Sequence, residues 1–370
     1  MPRFRLGLFA FLALSLWGAG HVYTATDGIP KETLVLLKKH FAFNEANLSA
    51  LTRGQVVRKT LETHDPGEVV AVGAVKIAVP RRFFIEQVRD IVTFKRSQYV
   101  QAIGTFGSRP QIDDLAGLSL SDDDVDAIRR CRPGDCAIKL TNAMLERFRS
   151  EVDWSKPEAR GKADTLFKRL LVERTAAYLS GGYSTLGTYM DKAGARPVAG
   201  ELVSMMNASV YLTELAPELR RYLEGFPNTE LGNAESLFYW SKESFGVKLV
   251  ISVTHLTIFT KTVHDTDMTF VVSQGLYTSH YFEGSLALTI APEVQDGPEP
   301  AFYLLYVNRS RVDALKGAFS GLFRWIAVRR VRDGLDATLR GVKRRMEDGY
   351  EVSQRASSPT AISPSSRTSP

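Results

Sequence analysis

The chain has 370 residues, of which 44% are hydrophobic and 24% charged, and its formal net charge is +6. These proportions are typical of a globular protein with a real core, and the length suits one large domain or two of moderate size. Two of the positive charges, Arg3 and Arg5, precede any acidic residue. The remaining excess is too weak to predict nucleic-acid binding, so no nucleic-acid partner is expected.

The N-terminus has the features of a secretion signal. Arg3 and Arg5 are followed by an apolar run over residues 6–19, which has the length of a signal-peptide core and is short for a membrane span. We therefore predict a signal peptide over residues 1–25 and an exported protein, periplasmic or extracellular. An uncleaved segment that anchors the protein to the membrane is the alternative.

The only two cysteines, Cys131 and Cys136, lie in the stretch CRPGDC. In an oxidising compartment an even cysteine count favours a disulfide, and Pro133-Gly134 suits the centre of a tight turn that would bring the two cysteines together. Four intervening residues do not match a thioredoxin-type pair, and no further His or Cys lies nearby for a zinc site. The sequence predicts a disulfide; two free thiols are the alternative.

Helix signals and then a β-hairpin occupy residues 29–94. Apolar spacing predicts helices from Pro30 to about residue 51, and two β-rich runs flank an Asp65-Pro66-Gly67 turn. Pro80 then begins the helix RRFFIEQVRDIVTF. Residues 95–235 are predicted to be a helical insert, in which Ser121 and Asp124 form a capping box rather than a calcium loop.

Residues 236–349 change to β-branched runs joined by short polar turns, which predict an antiparallel meander. A long helix follows, with apolar residues at helical spacing: Val328, Val331, Leu335, Leu339, Val342 and Met346. Residues 351–370 are rich in Ser and Pro, and we expect them to be disordered. The predicted class is α+β: an antiparallel sheet packed on a long C-terminal amphipathic helix, with a large helical insert.

No catalytic motif is present, so no catalytic residue is assigned and the question of enzyme activity stays open. His255 and His280 lie in predicted strands, and with Glu283 or Asp313 they would suit a metal or a general base. Buried, hydrogen-bonded core histidines are the commoner outcome. No metal site and no cofactor are predicted.

The order of elements is that of a known superfamily. A first strand and helix in EVVAVGAVKIAVPRRFFIEQVRDIVTF, the strands between Val247 and Val312, and the final helix resemble the helix-grip superfamily of START and polyketide-cyclase-like lipid-binding proteins. The resemblance covers about half of the chain. It departs from the family after the first helix, where more than 100 residues replace a short connection.

This resemblance implies an apolar ligand between the sheet and the C-terminal helix. Strand alternation suggests that the lining residues are Leu276, His280, Phe282, Leu286 and Tyr306. The predicted function is binding of a lipid or other apolar small molecule by an exported protein. Two alternatives remain: an envelope scaffold with a filled core, and a hydrolase- or cyclase-type enzyme that uses His255 or His280 with Asp313. The basic C-terminal helix leaves open a peripheral membrane contact.

Overall fold

A computed structural model describes residues 28–192, 194–245, 248–294, 299–312, 315 and 320–357. Its centre is one large antiparallel sheet. Strands are numbered in chain order, and two of them, β4 and β5, form a separate short hairpin. The large sheet contains eight strands: β1 (Val57–Leu61), β2 (Glu68–Ile77), β3 (Val100–Phe106), β6 (Ala234–Ser244), β7 (Leu249–Val263), β8 (Thr266–Thr278), β9 (Phe282–Val294) and β10 (Ala301–Val312). The hairpin consists of β4 (Thr188–Tyr189) and β5 (Arg196–Pro197).

The strand order across the sheet is β1-β2-β10-β9-β8-β7-β6-β3. The C-terminal meander β6–β10 therefore forms the middle, and the N-terminal strands form both edges. Every neighbouring pair is antiparallel. Strand β3 pairs with β6 at one end of the meander, and β2 pairs with β10 at the other, so both edges of the sheet join residues far apart in sequence.

Helices cover both faces of the sheet. Their ranges are α1 (Lys31–Val35), α2 (Glu45–Thr52), α3 (Arg81–Arg89), α4 (Ile91–Phe94), α5 (Asp122–Arg130), α6 (Asn142–Glu151), α7 (Ala159–Gly181), α8 (Val198–Asn207), α9 (Val210–Leu215), α10 (Pro217–Gly225) and α11 (Ser320–Ser357). The insert helices α5–α10 build a core on one face, and α3, α4 and α11 build a second core on the other. The α+β class and the C-terminal helix on the sheet are thus confirmed.

Helix α11 packs on the β1–β2 edge through the apolar positions that the sequence singled out. Leu335, Leu339, Val342 and Met346 are buried there. Polar contacts fix the same register: Lys343 donates to the Lys76 carbonyl (2.9 Å), and Glu347 accepts from the Ala78 amide (2.9 Å). On its other flank, Arg345 donates to the carbonyl oxygens of Phe94, the last residue of α4, and of Arg96. The helix therefore bridges β2 and the segment that follows α4.

The cysteine turn is confirmed as a disulfide between Cys131 and Cys136, whose Cα atoms are 4.5 Å apart. Gly134 has a φ of 83°, the left-handed conformation that glycine tolerates best. The Gly134 amide donates to the Met190 carbonyl (2.7 Å) and the Cys136 amide to the Asp191 carbonyl (3.0 Å). The turn thereby fixes the β4–β5 hairpin, and a disulfide of this kind is typical of a non-cytoplasmic compartment.

Two predicted boundaries differ from the structure. The expected insert began at residue 95, but β3 (Val100–Phe106) pairs with β6 and belongs to the main sheet. As a partly exposed edge strand, it lacks the apolar alternation that marks a half-buried strand. The expected disordered tail began at residue 351, but α11 continues to Ser357. Residues 358–370 and the predicted signal peptide (1–25) lie outside the described residues.

Candidate ligand-binding site

The sheet face that carries α11 is divided into two halves of different character. In the first half, Phe84 and Val88 of α3 pack on Phe302, Leu256 and Ile258, and all five side chains are buried. The second half lies toward the β8–β9 turn and is covered less completely. The first half therefore has a filled core, and the second half is the candidate site.

Small side chains form the floor of this second half. Register places them on one face across four strands, and most are partly exposed: Ser252 and Thr254 of β7, Ser273 of β8, Ser285, Ala287 and Thr289 of β9, and Asn308 and Ser310 of β10. We call this set the hydroxyl-lined floor. Large apolar residues that would fill the space above it are missing from these floor positions.

A charged pair and two tyrosines lie at the margin of the floor. Lys95, directly after α4, has its Nζ 3.0 Å from Glu243 Oε1 and 5.5 Å from the ring centre of Tyr239. Ser241 donates to the same Glu243 oxygen at 2.5 Å. Tyr239 and Glu243 belong to β6, whereas Tyr306, the second tyrosine, belongs to β10.

The charges at the β6 edge of the floor act on Tyr306 of β10. Lys95 lowers the pKa of Tyr306, whereas Tyr239 and Glu243 raise it.

The pKa values of Lys95 and Tyr306 reflect this position. Burial is the largest influence on the pKa of Tyr306 and raises it, although an Asn308 hydrogen bond and the Lys95 charge oppose the change. Burial also acts most strongly on Lys95, but the interactions with Tyr239 and Glu243 outweigh it and raise the pKa. At neutral pH Lys95 is therefore cationic and the Tyr306 hydroxyl is protonated.

Lys95 is desolvated and yet accessible to solvent. Its side chain is 28% exposed, that of Glu243 is 14% exposed, and Tyr306 is also partly exposed. The Lys95–Glu243 ion pair and Tyr306 are therefore in contact with water at the margin of the floor.

The five residues predicted to line a ligand site do not come together. Leu276 and Leu286 are buried in the core against the insert. His280 lies in the β8–β9 turn, and Phe282 packs edge-on against Phe245. Tyr306 alone faces the α11 side. The prediction assumed that the apolar side of β8–β9 faces the C-terminal helix, but this side packs against the insert, which needs the larger apolar surface.

Neither of the two histidines from the predicted strands lies at the floor. His255 faces the insert, and His280 lies in the β8–β9 turn. Both ring nitrogens of His255 are hydrogen-bonded: Nδ1 lies 3.1 Å from the Tyr178 hydroxyl, and Nε2 lies 2.8 Å from the Ser236 hydroxyl. The imidazole ring stacks on Phe238. Burial lowers its pKa to about 3. A histidine that stays neutral in this way is a satisfied core residue and a weak base.

His280 has a different partner from the ones the sequence suggested. Its Nε2 lies 2.8 Å from Asp124 Oδ1 at the start of α5, and both side chains are buried. Glu283 pairs instead with Arg196 at 3.0 Å, and Asp313 lies outside the described residues. The described residues contain no group of three or more His, Cys, Asp or Glu side chains placed to hold a metal ion.

Sequence reasoning missed Lys95, Tyr239 and Glu243. The alternation Tyr306-x-Asn308-x-Ser310 was a usable signal, because three polar residues on one strand face indicate that this face does not enter a filled core. Lys95 lies far from them in sequence and gave no such signal.

No described helix is long and apolar enough to cross a membrane.

Comparison with protein-family models gives no match, and neither the curated proteins nor the solved structures include a significant match to this chain.

Proposed function

We propose that this protein is an exported binding module that holds a lipid or other largely apolar small molecule between the hydroxyl-lined floor and α11. The observation that carries the proposal is the partly exposed floor of small side chains on the sheet face that carries α11. Ligand sites in proteins are typically concave and combine a few polar groups with a larger contact surface.

The order of elements supports the same proposal. Outside the insert, the chain runs from β2 through α3, α4 and β3 to the meander β6–β10 and then to α11. This is the order on which the resemblance to the helix-grip superfamily rests, and a ligand between sheet and helix is what that resemblance implies. Export is part of the proposal, and the disulfide supports it.

The first test is mass spectrometry of the protein purified from its producing host, under native conditions and again after solvent extraction. We expect a stoichiometric apolar compound in the native peak that solvent releases. A bare polypeptide mass, unchanged after exposure to lipid extract, would contradict the proposal and favour the scaffold with a filled core. This result would also remove the support for a peripheral membrane contact through which the protein takes up a lipid.

A matched pair of variants locates the site. Ala287 is partly exposed near the centre of the floor, opposite Asn308 and Ser273. We expect Ala287→Phe to fill the space above the floor and abolish binding, and Ala287→Ser to bind normally. Both variants should unfold at temperatures within a few degrees of the wild type, as differential scanning fluorimetry can check. Unchanged binding by Ala287→Phe would place the ligand elsewhere.

A further inference from the structure

We infer that a small organic monoanion binds in a cleft at the start of α3, where the Arg82 guanidinium holds its anionic group and apolar side chains hold its body. The cleft has a volume of about 460 Å³, within the range of roughly 300–1,000 Å³ that is usual for small-molecule sites. No residue of the hydroxyl-lined floor lines this cleft, so the inference is independent of the proposed function.

The cleft lies where α3 meets the sheet and α11. From the sheet, β7 contributes Thr260 and β9 contributes Glu293. From α11, Tyr350 lines the cleft, and its ring packs edge-on against Phe83 of α3 with 5.4 Å between the ring centres. The walls are therefore elements of the two packed layers, and the space between them is part of the fold.

One lining arginine is buried and has a donor without an acceptor. The Arg81 side chain is 9% exposed, and its Nη2 lies 3.2 Å from Glu293 Oε2 and 3.6 Å from Asp267 Oδ2. Its Nη1 donates to the Thr269 hydroxyl at 2.5 Å. The buried Nε–H group has no hydrogen-bond partner among the described residues. Because buried polar groups nearly always have a partner, this unused donor indicates that an acceptor enters the cleft.

The next residue, Arg82, supplies a free positive charge. It is exposed and makes no hydrogen bond or ion pair with any described residue. The first amides of a helix have no intrahelical acceptor and favour an anion. In α3, Pro80 provides no side-chain cap, and the first turn has no acidic residue. The Arg82 guanidinium and these amides therefore offer an oxyanion both charged and neutral donors.

One negative charge suits this arrangement better than two or none. Arg81 is matched by Glu293 and Asp267, so Arg82 is the lining cation without a carboxylate partner among the described residues. A dianion would be repelled by Glu293, which lines the same cleft. A neutral molecule would forgo the charge-assisted hydrogen bonds that carboxylate or phosphodiester oxygens form with a guanidinium.

The remaining lining is largely apolar and suits an organic body. Pro80, Pro300, Ile85 and the ring of Tyr350 face the cleft, and the last two are partly exposed. A ligand that covers them removes apolar surface from water, which favours binding. An aromatic ring suits this surface, because it packs well against another aromatic ring such as that of Tyr350.

The test compares phenylacetate with 2-phenylethanol, which share a ring and differ in charge. Affinities of the full chain are measured at pH 7.5 by saturation-transfer-difference NMR titrations. The wild type should bind phenylacetate at least about fivefold more tightly than 2-phenylethanol, as expected for a solvent-accessible charge pair. Arg82→Gln should remove most of this preference and leave the affinity for 2-phenylethanol within about twofold of the wild type.

A second anion and a second variant sharpen the test. Methyl phenyl phosphate is a phosphodiester with the same charge as phenylacetate, and the tighter of the two anions identifies the kind of oxyanion that the cleft prefers. Ile85→Ala should weaken phenylacetate and 2-phenylethanol by a similar factor, because it removes apolar contact and no charge. Thermal melts confirm that both variants are folded.

Arg109→Gln controls for the loss of a surface charge, because Arg109 is exposed after β3 and does not line the cleft. This variant should bind all three compounds like the wild type. An equal loss of phenylacetate binding in Arg82→Gln and Arg109→Gln would overturn the inference. So would equal affinity of the wild type for the alcohol and both anions, or failure to bind any of them. None of these results affects the proposed function, which concerns the floor.

Discussion

His255 illustrates at the scale of one residue how the fold changes the chemistry of a side chain. On the sequence it is a candidate base in an apolar strand. In the structure it is fully buried between Phe238, Phe226 and Tyr178. Ser236 and Tyr178 satisfy its two ring nitrogens. Because these partners are uncharged, nothing compensates the cost of a buried imidazolium, and the pKa falls to about 3.

This pKa predicts how stability depends on pH. Between about pH 6.5 and pH 3 the unfolded chain binds a proton at this residue that the folded protein does not. The free energy of unfolding should therefore fall with decreasing pH, by about 1.4 kcal/mol per pH unit from this group, between about pH 6 and pH 4. Urea denaturation at a series of pH values measures this slope.

His255→Gln removes the titration and should flatten the slope by about that amount, whatever it costs in absolute stability. His64→Gln is the control, because this histidine is exposed in the connection between β1 and β2. We expect the control to retain the wild-type slope. A His255→Gln slope equal to that of the wild type would show that this imidazole stays accessible to protons in the folded state.

At the scale of elements, the close approach of α11 to β2 depends on Gly73. This glycine pairs with Arg58 on β1 and Tyr306 on β10. A Cβ atom at this position would overlap Leu339 Cδ1 and come within 3.1 Å of Leu335 Cδ2. The helix can lie against the sheet edge because this strand position carries no side chain.

We predict that Gly73→Ala destabilises the protein by about 1–3 kcal/mol, as overpacking of a filled core does. Gly161→Ala is the control: it lies exposed in α7 with no atom near the added methyl group, and it should stabilise by up to about 1 kcal/mol. Denaturant midpoints measure both. A neutral Gly73→Ala variant would mean that α11 moves away from β2 at little cost.

At the scale of the whole molecule, the insert is part of the fold rather than an appended unit. The sheet presents large apolar side chains to it, including Leu288 and Ile290 of β9 and Val253 of β7, and all are buried in the same core as the insert helices. Trp240 of β6 donates from its indole nitrogen to the Asp114 carbonyl at 2.7 Å. Unfolding the insert alone would expose this entire face.

The protein should therefore unfold in one cooperative transition. In the variant Trp17→Phe/Trp154→Phe/Trp325→Phe, fluorescence reports on Trp240 in the sheet, and far-ultraviolet circular dichroism reports mainly on the helices. The two midpoints in urea should coincide, because neither layer retains a covered core without the other. Two separated transitions would show that the insert folds independently.

The sequence by itself determined the local features, because each depends on residues close together in the chain. Pro80 begins α3, Ser121 caps α5, the Asp65–Gly67 turn joins β1 to β2, and the cysteines flank a tight turn. The apolar spacing of Leu335, Leu339, Val342 and Met346 likewise predicted the buried stripe of α11. The class, an antiparallel sheet with a C-terminal helix on it, followed from the order of these elements.

Only the tertiary structure decided which face of the sheet each strand residue joins. Both faces are covered by helices, so alternation on β8 and β9 separates two sides without saying which one meets α11. The larger apolar residues, such as Leu286, face the insert, and the small polar ones face α11. The ion pair of Lys95 and Glu243 joins the segment after α4 to β6, a contact over 148 residues of sequence that no local pattern contains.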